Sequence, residues 1–256
     1  LRRLKTFVLL SQPHGRIPTA MKYVGVLGAG NWGTTLALLA SKQVQTVYLF
    51  DHKKDRAEEM QKIRENKRYL AGYKFSENLI VTSSLEEVFS KCQLVLPVIP
   101  SSQFRGFMQK ASSFIHGDHF LVHGTKGLEP SVHKRMSEII VEETGSLRVG
   151  ALSGPNLAVE LASGQPAATV VASRFDEVIA SAQEALNSSK FRVYGNPDLI
   201  GVEWSGALKN ILAVGSGILH AFNFGQNALA MLITRGVSEM SKLVEAVGGN
   251  SSTLLG

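Results

Sequence analysis

Residues 24–37 read Val24-Gly25-Val26-Leu27-Gly28-Ala29-Gly30-Asn31-Trp32-Gly33-Thr34-Thr35-Leu36-Ala37, an apolar run feeding a G-x-G-x-x-G turn that opens into a helical pattern. Glycine triplets also arise in ordinary turns. A strand before and a helix after make this one a dinucleotide-binding signature. Gly28 lets the chain turn tightly out of the strand, Gly30 leaves room for a pyrophosphate, and Gly33 lets the helix pack close. Free N–H groups at the helix start then face the phosphates. Asp51 ends the next apolar run, Thr46-Val47-Tyr48-Leu49-Phe50, where its carboxylate can accept the ribose hydroxyls of the adenosine half. A carboxylate there also repels the extra phosphate of NADP and favours NAD, whereas His52, Lys53 and Lys54 supply charge that could cradle it.

Further apolar runs recur at 23–27, 47–50, 79–81, 94–99, 120–122, 149–152 and 169–172, with helix-period segments between most of them. This alternation predicts an α/β fold with a doubly wound, Rossmann-like, mainly parallel sheet. Past Asn196 the strand signal stops, and 201–248 reads as long, Ala- and Gly-rich helix, the start of an all-helical second domain. The expected division is residues 21–195 for the dinucleotide domain and 196–256 for the first part of the helical one. Pro197 is available to start the next helix. Pro97, inside the run Leu94–Ile99, cannot donate to a ladder and predicts a bulge or an early strand end.

With 44% apolar and 19% charged residues in 256, the composition is that of an ordinary globular chain. The formal charge of +6 owes much to Arg2, Arg3, Lys5 and Arg16, in a first stretch of twenty residues without an acid. The remaining charge is scattered, which argues against nucleic acid and suits a small phosphorylated substrate. Residues 1–20 read as an upstream extension with Met21 as natural start, or as a targeting remnant. No apolar run is long enough to span a bilayer, so no membrane partner is expected. The lone Cys92 excludes an internal disulfide framework and suits a reducing compartment.

Three segments could carry chemistry. His123-Gly124-Thr125-Lys126-Gly127-Leu128 places a lysine after the fifth strand, where flanking glycines would hold it near a ligand; a solvated surface lysine is the plainer alternative. Ser153-Gly154-Pro155-Asn156 follows the sixth strand and is either a ligand loop or a turn in which Asn156 caps a helix. Gly206-Ala207-Leu208-Lys209-Asn210 sets a lysine in an apolar helix, where burial demands a partner unless the side chain snorkels out. His116, His119 and His123 lack the Cys or Glu companions of a metal site, so no metal is expected. Cys92 reads as a small buried hydrophobe.

Taken together, Gly28-Ala29-Gly30-Asn31-Trp32-Gly33, Thr125-Lys126-Gly127-Leu128-Glu129, Ser153-Gly154-Pro155-Asn156, Asn196-Pro197-Asp198, Gly206-Ala207-Leu208-Lys209-Asn210 and Ile233-Thr234-Arg235-Gly236 resemble the NAD(P)-dependent glycerol-3-phosphate dehydrogenases, the bacterial type above all, over 22–256. The resemblance implies hydride transfer between NAD or NADP and dihydroxyacetone phosphate, giving sn-glycerol 3-phosphate for phospholipid synthesis in the cytoplasm. It further implies that Asn31, Trp32, His52 and Ala158 contact the dinucleotide. Lys126 would touch cofactor and substrate, Gly154, Asn156 and Asn210 the substrate, and Lys209 would be the catalytic acid or base. A homodimer is compatible with it. Leu229 stands where relatives carry a basic residue, and His220-Ala221-Phe222-Asn223 replaces an Asp- and Gly-rich stretch. The family's later G-x-G-D-L segment and Arg-Asn pair do not occur before Gly256, so these 256 residues alone are expected to bind dinucleotide, turn over little and expose apolar helix faces. Two alternatives stand beside this reading: another hydroxyacid or sugar-acid dehydrogenase, and a non-catalytic dinucleotide-binding protein.

Overall fold

The computed structural model describes residues 22–255; the extension read at 1–20 lies outside them. Strand β1 (Tyr23–Leu27) passes into helix α1 (Asn31–Ala40), then β2 (Thr46–Phe50) and α2 (Lys54–Ile63). A small hairpin, β3 (Glu65–Asn66) and β4 (Leu70–Lys74), precedes β5 (Leu79–Thr82), α3 (Leu85–Lys91), β6 (Leu94–Pro97), α4 (Ser101–Ala111) and β7 (Phe120–His123). Helix α5 (Met136–Thr144), β8 (Val149–Ser153), α6 (Ala158–Ala162), β9 (Ala167–Ser173), α7 (Asp176–Leu186) and β10 (Phe191–Asn196) follow. Two long helices, α8 (Leu199–Ala221) and α9 (Gln226–Ala246), come last before a short 3₁₀ turn.

The sheet order is β10-β9-β8-β7-β6-β1-β2-β5. Every pairing in it is parallel except β8 with β9. From β1 the chain winds outward through β2 and β5 on one side and through β6, β7 and β8 on the other. The carboxyl ends of β1 and β6 therefore form the switch point where open α/β sheets bind ligands. Strands β1 and β6 carry almost uninterrupted apolar residues because both faces are covered: Val24, Val26, Leu94 and Leu96 pack with Leu36 on one side, Leu27 and Val95 with Phe104 and Ile139 on the other.

Pro97 ends β6 where it was expected to, two residues short of the apolar run, and its carbonyl accepts from Gly124 N–H. The β3–β4 hairpin and strand β10 were not expected. Strand β10 alternates buried Phe191 and Val193 with exposed Arg192 and Tyr194, a period-two pattern. The helical sequence read over 201–248 forms two helices, divided where Asn223 takes φ 56°. The first half of α8 packs Leu199 and Val202 on Ala151 and Ala172 of the sheet. Its second half exposes Ile211, Val214 and Ile218, and α9 exposes Met231 and Leu243.

Candidate active site

The glycine turn is built as its sequence requires. Gly28 has φ +114°, and a Cβ there would stand 2.5 Å from the Val98 carbonyl oxygen, so both backbone and space exclude a side chain. A Cβ on Gly33 would meet the Gly28 carbonyl oxygen at 1.9 Å, which is how α1 comes so close to the turn. At Gly30, by contrast, a Cβ would find nothing within 4 Å, the open space a pyrophosphate needs. No side chain caps the start of α1, leaving its first N–H groups to a ligand. The Trp32 indole N–H is buried without a protein partner and lies against Gly124, on the next loop of the same crevice. An unpaired donor, an open cradle and an uncapped helix start together fit a dinucleotide. Asn31 is exposed at the helix start, while the Ala158 carbonyl at the start of α6 accepts from Thr35 Oγ1 at 3.3 Å, bringing that residue to the same helix.

Sequence reasoning missed what holds this turn. Asn66, buried in the hairpin, donates to the Ala29 carbonyl (2.9 Å) and to Thr34 Oγ1 (2.8 Å). It sits in a two-residue strand too short to leave a periodic signal.

Asp51 differs from its expected state. Its side chain is only 2% exposed, and Oδ1 accepts from Arg56 Nη2 at 2.6 Å and from Lys53 N–H at 2.8 Å. The ion pair compensates much of the negative charge that was to repel a 2′-phosphate. His52 is exposed, with Nδ1 3.7 Å from the same oxygen. Arg56 and Arg68 both lie over the Tyr69 ring, at 6.0 and 5.4 Å, so this end of the crevice is rich in cations.

At the other end two lysines converge. Lys209 Nζ, on α8, donates to the Gly154 carbonyl at 2.6 Å, and Lys126 Nζ, from the loop after β7, reaches the same oxygen at 3.4 Å. Burial, reinforced by the like charge of Lys126, lowers the Lys209 pKa from 10.5 to about 8. Both lysines are half-buried, with their ammonium groups turned onto the Gly154 carbonyl. Thr125 locks the lysine loop to the end of β6 by donating to the Ile99 carbonyl (2.7 Å) and accepting from its N–H (3.1 Å). Asn156 is not a helix cap; Leu157 holds that position. Its Nδ2 donates to the Ala168 carbonyl at 2.8 Å while Oδ1 is buried without a partner. Asn210 is exposed beside Lys209.

His116 and His119 pair with each other, and His123 pairs with Glu203. His119 Nδ1 accepts from His116 N–H and its Nε2 faces the Phe89 carbonyl, whereas His123 Nε2 meets Glu203 Oε1 at 2.9 Å. Cys92 is buried, which pushes its thiol up to about 12 and leaves it inert, as its apolar context suggested.

Comparison with known proteins shows the family. Residues 23–179 match the model of the NAD-dependent glycerol-3-phosphate dehydrogenase N-terminus, and residues 198–256 that of the C-terminus. The chain belongs to the NAD-dependent glycerol-3-phosphate dehydrogenase family. Among relatives, a glycerol-3-phosphate dehydrogenase [NAD(P)+] of Teredinibacter turnerae is 40% identical over 91% of this chain and 68% of its own length. One of Corynebacterium glutamicum is 41% identical over 92% and 72%. The crystal structure of the Coxiella burnetii glycerol-3-phosphate dehydrogenase superposes with a TM-score of 0.87 at 38% identity, covering 92% of this chain and 72% of that one. Among the described residues no helix is long and apolar enough to cross a membrane.

Proposed function

We propose that this protein interconverts dihydroxyacetone phosphate and sn-glycerol 3-phosphate with NAD(H) or NADP(H), supplying the glycerol phosphate of phospholipids. The observation that carries this reading is the convergence of Lys209 and Lys126 on one carbonyl at the mouth of a dinucleotide crevice. A bound nicotinamide supplies the hydride to the C2 carbonyl carbon. Negative charge then grows on the carbonyl oxygen, and the Lys209 ammonium stabilises it and passes it a proton; in the oxidation the neutral amine takes the proton back. Lys126, whose Nζ shares the Gly154 carbonyl with Lys209, lowers the proton affinity of Lys209. Gly154 and Asn156 line the substrate side, and Gly28, Gly30, Gly33, Asn31, Trp32, His52 and Ala158 the cofactor side. Asp51 acts there as the anchor of Arg56 and Lys53.

The same proposal takes residues 21–195 as the cofactor-binding part and 196–256 as the beginning of the substrate-binding part. It also takes the protein as a cytoplasmic enzyme and homodimer acting on a small phosphorylated molecule, with no nucleic-acid or membrane partner. The test is a panel of ketones assayed on the natural full-length protein with each reduced cofactor. Reduction of dihydroxyacetone phosphate in clear preference to 2-keto acids and sugar-acid precursors is expected. Preference for one of those, or cofactor binding with no reduction, would overturn the reading.

A further inference from the structure

One carboxylate ties together the two segments that bring the lysines to the site. Glu203 lies on α8, six residues before Lys209, so about 9 Å along the helix axis separates them. It is 7% exposed and receives four donors: His123 Nε2 (2.9 Å) and Ser137 N–H (2.9 Å) on Oε1, Arg135 Nη1 (2.7 Å) and Ser137 Oγ on Oε2. His123 is the last residue of β7, three before Lys126. Burial by itself would raise the Glu203 pKa; the His123 hydrogen bond and the Arg135 charge more than offset it and hold the carboxyl below its usual range. The other charged groups around this cluster are Glu138, which accepts from Arg135 N–H at 2.8 Å, and Asp198 at the start of α8, which feels the Arg135 charge.

Between Glu203 and Lys209 the helix touches the sheet once more. A Cβ on Gly206 would stand 2.6 Å from Ser153 Oγ, so α8 lies directly on the end of β8 there. The helix is thus held at Glu203, at Gly206 and at the Lys209 contact with Gly154. Of the three, only Glu203 also grips the strand leading to Lys126.

We propose that Glu203 is a positioning residue: through His123 and Arg135 it fixes α8 against the end of β7 and so sets how closely Lys209 and Lys126 approach at the Gly154 carbonyl. This inference rests on the function proposed above. Leu199 and Val202 already supply apolar burial for the first turns of α8, but apolar contact does not fix rotation or sliding as four directed hydrogen bonds do. Glutamine keeps the size and supplies a single acceptor oxygen, and its amide would point hydrogens at donors that now meet a carboxylate.

The experiment compares the natural full-length protein with Glu203→Gln and with the milder Arg135→Met. It measures kcat and KM for dihydroxyacetone phosphate, the Kd for reduced dinucleotide, the folded fraction, and the pH midpoint of Lys209 amine labelling by mass spectrometry. A displacement of about 1 Å costs roughly a hundredfold in rate. Glu203→Gln is therefore expected to lose about tenfold to a hundredfold in kcat, with dinucleotide Kd within about twofold and the Lys209 midpoint moving up from about 8 towards 10.5. Arg135→Met should show a smaller change in the same direction, and it decides the matter if Glu203→Gln does not fold. An unmoved Lys209 midpoint in folded variant overturns the proposal, whether kcat is kept or falls only with the folded fraction. If the unsubstituted protein does not reduce dihydroxyacetone phosphate, the functional reading fails separately, and the labelling midpoints still decide the role of Glu203.

Discussion

Lys209 makes the pH dependence of this enzyme predictable in both directions. With its pKa at about 8, the side chain is about nine-tenths ammonium at pH 7 and about one-tenth at pH 9. Reduction needs the ammonium as proton donor, so kcat/KM for dihydroxyacetone phosphate should fall about tenfold from pH 7 to pH 9. Oxidation of glycerol 3-phosphate needs the free amine and should rise over the same interval by a similar factor. The ratio kcat/KM is the quantity to follow because it reports the free enzyme, whose structure gives the shift. Nicotinamide absorbance at fixed ionic strength suffices as the assay. Removing the like charge with Lys126→Ala should move the midpoint up only part of the way to 10.5, because burial is the larger cause of the shift. Limbs of the same sign in the two directions, or no limb between pH 7 and 9 in either, would refute the assignment of Lys209 as the proton carrier.

Lys209→Ala is expected to cost about a hundredfold to a thousandfold in kcat, the usual effect of losing one preorganised donor, with dinucleotide Kd nearly unchanged. Lys126→Ala should instead weaken substrate and cofactor together, as titrations of each would show. Arg56→Ala frees the Asp51 carboxylate and should lower the affinity for NADPH relative to NADH by at least about threefold, read from the two Kd values; an unchanged ratio would show that this ion pair does not bear on cofactor choice. Gly206→Ala drives a methyl against Ser153 Oγ and should depress kcat, and adding Ser153→Ala should restore much of it. A double variant no better than the single would place the damage elsewhere.

Local rules carry a reading far where the physics is local. The glycine turn had to be Gly28, Gly30 and Gly33 because no side chain fits the first and third positions and a ligand needs the space at the second, and each has that role in the backbone. Apolar runs fix the buried strands for the same reason, and the proline at 97 ends its strand because it has no hydrogen to give. Strand β10 was within reach too, through its alternation of Phe191 and Val193 with Arg192 and Tyr194.

What the sequence by itself determined is therefore the wound sheet, the cofactor turn and the family, each written in neighbouring residues and in motifs of fixed spacing. Only the tertiary structure decided how charges from distant segments combine. Asp51 looked like a free carboxylate until Arg56, brought round by the first turn of α2, neutralised it. Lys126 and Lys209, 83 positions apart, meet at the Gly154 carbonyl, a convergence no local pattern announces. Glu203 gave no sign of importance in its helix, since a buried carboxylate gains its meaning from partners at 123, 135 and 137 that no local pattern connects to it. Electrostatic pairing acts through space and depends on burial, and neither is encoded at the scale of a motif.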